Sequence, residues 1–513
     1  MNAAINTTNN ILRSIGTSII LSALGAVALA FAFPKAGQAW LAPIAAAGLF
    51  WAWRTLSWKR AFLLGWLAGA IFFSINFSWF TYTVGAYVGK VAFAVVLIPA
   101  LVEGIAFALT AVTVAIALAN SARWAVPLAA AAAFTIFEWL RSIGIFAVPF
   151  AQIGYSQTTT PLAFFAPYIG SFGVTFVVML LGAYLAEAIA SRNPRPLAYV
   201  VFIVAVACVF CWWLWPARRF ESGSPAFRVA AVQGNIPQTL KWNPQNFWLS
   251  VNTYLNQTRR LAPLRPLLVV LPETVIPTDF NGTDPQGVHA FVRADFAQLA
   301  HLMHTWLIIG SLDKHNGHEY NALFTLGPNG SIVNIYDKRQ LVPFTESFPG
   351  EKVLGWLPGS DLIGRFAAGT IDTVLPIGAL RVAPLICWES AFADLVHAQI
   401  ERGAQVLVIA TDDAWFGDSS GTFQHAQIAQ MRAIETGEYV LQSASTGISG
   451  VITPTGRWQD TAPLDRQALI VSGVRAPDSS LSLFARIGPT PVMLSLALLY
   501  VLIVGIGALQ KRR

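Results

Sequence analysis

Leu380-Arg381-Val382-Ala383-Pro384-Leu385-Ile386-Cys387-Trp388-Glu389 joins a run of apolar, strand-forming residues to a thiol, an aromatic ring and a carboxylate. Leu380–Cys387 reads as a buried strand. Helix Ala391–Arg402, strand Val406–Ala410, helix Phe423–Thr436 and strand Tyr439–Ala444 follow it. Such alternation builds a sheet covered by helices, because each crossover packs back on the sheet it leaves. Groups at strand ends then project from a rigid frame, where α/β domains place their sites.

The pattern extends upstream. Phe227–Gln233 reads as a strand, Asn246–Arg260 as a helix, Pro266–Leu271 as a strand and Val288–Met303 as a helix with apolar residues at helical spacing. Strand Leu307–Ser311 precedes a hairpin of Ala322–Leu326 and Ile332–Asp337 turned at Pro328-Asn329-Gly330, and a later hairpin turns at Thr455-Gly456. Two of these strands also end on chemistry. Glu273 follows Leu268-Val269-Val270-Leu271-Pro272, and Lys338 follows Ile335-Tyr336-Asp337. Taken singly, Glu273 also reads as a turn cap, Lys338 as a solvated hairpin residue and Cys387 as core.

Outside this region the chain changes character. Of its 513 residues, 55% are apolar and 12% charged, against about 45–50% and about 25% in soluble domains. The excess lies in eight runs: Thr17–Phe33, Ala39–Trp53, Ala61–Phe80, Val91–Leu118, Trp124–Leu140, Phe165–Ala188, Tyr199–Trp215 and Val492–Leu509. Most approach the ~20 residues that cross a bilayer core as a helix. Ala39–Trp53 is the weakest, being short and holding Pro43. The expectation is a multi-pass α-helical membrane protein of eight transmembrane helices with an inserted α/β domain. Residues 1–219 form the membrane domain with helices 1–7, residues 220–485 the inserted domain, and residues 486–513 the eighth helix and tail.

Positive charge resists translocation, so Lys and Arg orient the spans. With the N-terminus inside, the inside segments hold Arg13, Arg54, Lys59, Arg60, Arg123, Arg192, Arg195, Lys511, Arg512 and Arg513, while the short outside loops hold Lys35, Lys90 and Arg141. Both termini are thus expected in the cytoplasm and residues 220–485 outside, the periplasm of a bacterium. Arg218, Arg219 and Arg486 also fall outside, beside a large domain where the rule has least force. The first run also resembles a signal peptide, but the alternating charges are satisfied only if it stays as an anchor. The net charge of +7 and pI of 9.4 are an excess of anchor charge over an acidic inserted domain, which removes the argument for a nucleic-acid partner.

Cys208 and Cys211 lie in the seventh apolar run, leaving Cys387 alone outside, either as packing or as a reactive thiol. Leu271-Pro272-Glu273, Tyr336-Asp337-Lys338-Arg339-Gln340-Leu341-Val342-Pro343-Phe344 and Ile386-Cys387-Trp388-Glu389 resemble, in order and spacing, the Glu, Lys and Cys motifs of the nitrilase (carbon–nitrogen hydrolase) superfamily. A nitrilase-like domain between a seventh and an eighth span is similar to the apolipoprotein N-acyltransferase family, over essentially the whole chain. Val232-Gln233-Gly234-Asn235-Ile236-Pro237-Gln238 with Lys241-Trp242, Glu346, and Asp412-Asp413-Ala414-Trp415-Phe416-Gly417-Asp418 extend the likeness. The family pattern has Asn where Asp412 stands and often Tyr where Trp388 stands.

The resemblance implies an α-β-β-α sandwich and a two-step acyl transfer at the bacterial inner membrane. Cys387 is then the nucleophile and Glu273 the proton acceptor. Lys338 and the Trp388 backbone N–H stabilise the tetrahedral oxygen, with Glu346 and Glu389 as supports. A free thiol with a pKa of about 8.5 needs such a base. The donor is a membrane phospholipid and the acceptor the α-amino group of a diacylated apolipoprotein. Trp242, Leu341, Phe344, Trp415 and Phe416 are candidate acyl-chain contacts, with core packing or an interfacial belt as the alternative. Neither a cofactor nor a metal is implied, and a monomer is expected.

Other readings remain at this point. Gly417-Asp418-Ser419-Ser420-Gly421 matches a G-x-S-x-G elbow, but the last histidine, His425, is too near to serve it. His301/His304 and His315/His318 have metal-like spacing without a third ligand. A membrane-anchored amidase of the superfamily, or a transporter or receptor, would also carry such a domain. Within the fourth apolar run, Glu103 is expected to face a polar cavity or partner, because a charge there costs at least ~2.5 kcal/mol. Glu138 and Arg141 are expected to pair near a span end.

Overall fold

The computed structural model describes residues 2–89, 92–215, 226–283, 287–356, 363–476 and 482–512. Lys90, Arg218 and Arg219 lie outside the described residues. Each apolar run becomes a helix: α1 (Asn2–Ala30), α2 (Leu41–Trp53), α3 (Trp58–Asn76), α5 (Ala92–Asn120), α6 (Val126–Leu140), α7 (Ala166–Ser191), α8 (Arg195–Leu214) and, after the inserted domain, α13 (Pro489–Arg512). Five stretches, Trp58–Asn76, Ala92–Asn120, Pro161–Ser191, Arg195–Leu214 and Pro489–Lys511, are long and apolar enough to cross a membrane, and Ile15–Ala30, Leu41–Trp53 and Val126–Leu140 are shorter. A further short helix, α4 (Phe80–Val88), continues past the third run.

The helices pack through small residues. A Cβ on Gly65 or Gly69 would strike the backbone of α5 within 3 Å, so these positions let α3 and α5 approach closely, the device that replaces hydrophobic driving force between apolar helices.

Residues 227–474 fold into two sheets. One runs β13 (Ala468–Val474), β1 (Phe227–Gln233), β2 (Leu268–Val270), β4 (Trp306–His315), β5 (His318–Leu326), β6 (Ile332–Asp337), with β3 (Ile276–Asp279) also on β4. The other runs β12 (Trp458–Thr461), β11 (Gly450–Ile452), β10 (Tyr439–Ala444), β9 (Val406–Thr411), β8 (Leu380–Ile386), β7 (Leu375–Ile377). In each, the central trio is parallel: β1, β2 and β4, and β8, β9 and β10. Val229, Val270, Ile308 and Leu323 from the first sheet meet Val382, Val406, Val408 and Leu441 from the second in one buried layer. The opposite face of the first sheet packs on α9 (Phe247–Arg259) and α10 (Val288–Met303). The second sheet's outer face packs on α11 (Ala393–Glu401) and α12 (Ser420–Thr436). The four layers are therefore α-β-β-α, and their near-continuous apolar strands follow from being covered on both faces.

β4 and β5 run four and more residues beyond the expected strands and turn at Asn316-Gly317, with Gly317 at φ 76°. Their polar ends concealed them: Asp313, Lys314 and Glu319 pair in the ladder although they carry no apolar alternation. β3 and β7 are too short to show an alternation, whereas β13, seven largely apolar residues, is a strand beyond the expected set.

The domain is seated on the helices by its Cys387 end. Tyr155 donates through its hydroxyl to the Ala391 carbonyl at 3.2 Å and accepts from Arg432 Nη2 at 3.1 Å. The Ser171 backbone N–H donates to Glu435 Oε1 at 2.5 Å, and Gln424 Nε2 to the Asn76 carbonyl at 3.0 Å. Phe150 stacks on Trp388 with centroids 5.0 Å apart, and Trp79 meets Phe416 edge-on at 4.7 Å.

Among the helices, Arg141 corrects the expected pair. It binds Glu103, and both side chains are buried. Glu138 is instead satisfied by the Ile153 N–H at 2.8 Å and the Thr175 hydroxyl at 2.6 Å. Glu138 thus has its donors already, whereas Glu103 has the stronger need of a cation.

Gly310 on β4 permits the first sheet to carry Glu273, since a Cβ there would lie 2.1 Å from the Pro272 carbonyl and 2.7 Å from the Glu273 Cα. Gly310→Ala should lower stability by roughly 1–3 kcal/mol through this backbone clash. Thermal unfolding of the detergent-solubilised protein measures it; an unchanged midpoint would contradict the close approach.

Candidate active site

Glu273, Lys338 and Cys387 each follow the C-terminal end of a strand, β2, β6 and β8 respectively. Facing of the two sheets brings these ends together. The Lys338 ammonium is buried and lies 3.0 Å from Glu273 Oε1 and 2.9 Å from Glu346 Oε1. Asn321 Nδ2 donates to the same two oxygens, at 2.7 Å and 2.8 Å. The second Glu273 oxygen accepts from the Asp412 backbone N–H at 2.9 Å, and the second Glu346 oxygen from the Val342 N–H at 2.9 Å. No carboxylate oxygen of this pair is left without a donor.

Burial opposes charge on Glu273, but the Lys338 and Lys241 ammonium groups and the hydrogen bonds from Lys338 and Asn321 outweigh it and hold the carboxyl below its ordinary range. Burial likewise opposes charge on Lys338, yet Glu273, Glu346 and Cys387 raise its pKa. Cys387 goes the other way. Burial and the Glu273 charge push its thiol well above the ordinary value, against the lowering influence of Lys338 and a hydrogen bond from Thr411. The resting state is therefore a neutral thiol beside a carboxylate–ammonium pair.

Cys387 itself sits at φ 50°, in the left-handed region, where a non-glycine residue is strained. It opens the 3-10 turn Cys387–Ala391. Trp388, the second residue of that turn, has no intrahelical acceptor for its N–H, because the first donors of any helix are unsatisfied.

Glu389 ties this elbow to the Lys338 loop. Its carboxylate is fully buried and accepts from the Ile386 N–H at 2.7 Å, the Arg339 N–H at 2.7 Å, the Gln340 N–H at 3.2 Å and the Tyr336 hydroxyl at 3.0 Å. Burial raises its pKa to about 7 in spite of these bonds. One side chain thus spans both sheets, fixing the nucleophile's strand end against the lysine's.

The match to known proteins covers both parts of the chain. Residues 228–477 match the carbon-nitrogen hydrolase family, and residues 25–184 match the apolipoprotein N-acyltransferase N-terminal domain. An apolipoprotein N-acyltransferase of Methylococcus capsulatus is 33% identical over 502 residues, covering 93% of this chain and 94% of that protein. The chain belongs to the apolipoprotein N-acyltransferase family. The Photobacterium profundum member is 29% identical over 93% of each chain. A solved carbon–nitrogen hydrolase superfamily protein from Xanthomonas campestris aligns with 53% of this chain and 97% of its own, at 18% identity and a TM-score of 0.39.

In this member of the acyltransferase family, the remaining candidates separate by position. Trp388 and Phe416 are buried where the domain meets the helices, and Trp415 accepts from the Thr83 hydroxyl at 2.7 Å through its carbonyl. Trp242 and Phe344 are exposed, Leu341 half-buried, and Phe344 stacks on Phe146 of the helical part at 6.1 Å. Gly417–Gly421 stands at the start of α12, where Ser419 Oγ caps the helix by accepting from the Gly421 N–H at 3.2 Å, and the nearby His425 is taken up by Asp413 and Ser390. His315 has gained neighbours, Asp313 at 2.9 Å and Asp337 at 3.8 Å. Among the described residues these three alone are grouped closely enough to hold a metal ion.

Two site residues went unread. Asn321 lies on the polar end of β5, where no apolar alternation marked a strand. Lys241 is buried and donates to the Glu273 carbonyl at 2.9 Å and to Asp412 Oδ2 at 2.5 Å. Its signal was a lysine within the Lys241-Trp242 likeness, and burial of a lysine is not visible in sequence.

Removing the Glu389 carboxylate strands three backbone donors and a hydroxyl, each buried unsatisfied group costing about 1–3 kcal/mol. Glu389→Ala should therefore lose at least ~3 kcal/mol, and Tyr336→Phe about 1 kcal/mol. Unfolding midpoints in detergent rank the two; a Glu389→Ala protein no less stable than Tyr336→Phe would remove the bridge from the account.

Proposed function

We propose that the chain N-acylates apolipoproteins, taking a fatty acyl chain from a membrane phospholipid and passing it through a Cys387 thioester to the α-amino group of the acceptor's diacylglyceryl-cysteine. The observation that carries this reading is the convergence of Glu273, Lys338 and Cys387 at three strand ends in a chain of this family. In our reading all eight apolar helices span the bacterial inner membrane, both termini are cytoplasmic, and the domain of residues 220–485 works at the periplasmic surface as a monomer. A domain so placed meets ester groups at the surface from which their acyl chains enter the bilayer.

The charge pattern explains how a neutral thiol reacts. As Cys387 attacks the ester carbonyl, negative charge grows on the carbonyl oxygen and draws the Lys338 ammonium and the Trp388 N–H toward it. Glu273 then loses part of its counter-charge, its proton affinity rises, and it takes the thiol proton. Collapse of the tetrahedral intermediate breaks the ester C–O bond. The departing lysophospholipid oxygen receives that proton, leaving the thioester.

In the second half the acceptor amine, ordinarily of pKa about 7.7–8.0, attacks as the free base. Glu273 takes its proton, the C–S bond breaks, and the sulfur recovers the proton as the N-acyl product leaves. Glu346 and Glu389 serve as supports: one shares Lys338, the other fixes the two loops.

Purified protein incubated with phospholipid in detergent micelles should gain one acyl chain on Cys387, read by mass spectrometry and released by hydroxylamine. Cys387→Ala should gain none. Glu273→Gln and Lys338→Ala should each slow adduct formation by about 10²-fold or more, the usual scale for a lost base or oxyanion donor. Equal acylation of Cys387→Ala would sink the mechanism, and amide hydrolysis without acyl transfer would assign the chain an amidase activity instead.

A further inference from the structure

Beside the nucleophile lies a second set of buried polar side chains that acyl transfer, as described, leaves without a role. His425 on α12 is fully buried, with Nδ1 2.8 Å from Asp413 Oδ1. Its Nε2 lies 3.0 Å from Ser390 Oγ and 3.2 Å from the Cys387 carbonyl oxygen. Ser390 Oγ donates to that same carbonyl at 3.0 Å. Asp413 Oδ1 also accepts from Thr411 Oγ1 at 2.8 Å. A chain of contacts thus runs from Thr411 through Asp413 and His425 to the Cys387 carbonyl.

An Asp–His–Ser set invites a nucleophilic reading, but burial removes it. All three residues have no exposed surface, and the serine hydroxyl is committed to the Cys387 carbonyl. What the set does touch is the peptide unit joining Cys387 to Trp388. That unit is planar, so anchoring its oxygen also directs its N–H, which points to the opposite side. Hydrogen bonds to a carbonyl polarise the amide and strengthen the N–H as a donor.

We propose that Asp413 and His425 are positioning residues for acylation, clamping the Cys387–Trp388 peptide so that its N–H is aimed and polarised for the tetrahedral oxygen. The inference rests on the acyl-transfer reading above. Several features support it. The imidazole stacks on Phe150 with centroids 6.2 Å apart and meets Phe416 edge-on at 6.0 Å, contacts that restrict its orientation. Both ring nitrogens face acceptor oxygens, Asp413 Oδ1 and the Cys387 carbonyl; burial disfavours the charged ring, but the Asp413 charge and the hydrogen bonds the ring makes to these two oxygens raise its pKa. A Cβ on Gly447 would lie 2.4 Å from Asp413 Oδ2, so glycine there lets the aspartate reach its place. The clamp also holds Cys387 in the left-handed conformation that presents its sulfur.

The test is single-turnover acylation of the purified full chain by phospholipid in micelles, followed by the mass of the Cys387 adduct. Losing an oxyanion donor outright costs about 10²–10³-fold, so His425→Ala, which only misaligns one, should slow acylation by about 10–100-fold. The half-saturating phospholipid concentration should stay within about twofold, because the clamp acts on the transition state and not on ground-state binding. His425→Gln retains an amide donor and should recover part of the rate, and isosteric Asp413→Asn should fall between. Wild-type rates in the folded variants, a loss confined to the half-saturating concentration, or a glutamine no better than alanine would each overturn the clamp. If His425→Ala does not fold, Ser390→Ala and Asp413→Asn decide, and wild-type rates in both overturn it. An absence of adduct on the wild-type chain would sink acyl transfer itself, a separate outcome from an adduct that all variants form equally.

Discussion

A lysine ammonium taken out of water is stable only if its charge is answered where it sits. Lys338 is answered twice, by Glu273 and by Glu346, and Asn321 bonds the same two oxygens. Everything else at the site is arranged around that buried cation. It keeps Glu273 ionised, and the ionised Glu273 keeps the neighbouring thiol protonated. The strand ends of both sheets must therefore meet within hydrogen-bonding distance, which is what the facing of β2 and β6 with β8 and β9 provides.

That meeting point is reinforced by groups that never need to touch a substrate. Glu389 collects donors from both sheets, and Lys241 bridges the Glu273 carbonyl to Asp412. Breaking a buried ion pair by removing one partner typically costs about 3–5 kcal/mol, so these bridges make the site rigid as well as charged. Rigidity matters because the oxyanion donors must be aimed before charge develops.

Among the described residues, the helical part is joined to this rigid centre. Tyr155, Ser171, Asn76 and Phe150 all reach the elbow after β8 or helix α12, the same elements that hold Cys387 and His425. Anchor and nucleophile thus share one packed seam of polar and aromatic side chains.

The eight apolar runs, the strand–helix alternation and the three chemical residues at strand ends were all legible in the chain itself, because hydrophobic period and span length are local properties. Helix Val288–Met303 and strand Tyr439–Ala444 have the expected bounds. Locality also explains the failures. The polar ends of β4 and β5 are strands only because they pair with each other, and Arg141 turns to Glu103 because a neighbouring helix brings it within reach. Sequence by itself determined which segments are buried and which residues can do chemistry. Only the tertiary structure decided that Asn321, Lys241 and the Asp413–His425 pair surround them, because the partners of a buried polar group are chosen by proximity across sheets and helices, which no spacing along the chain records.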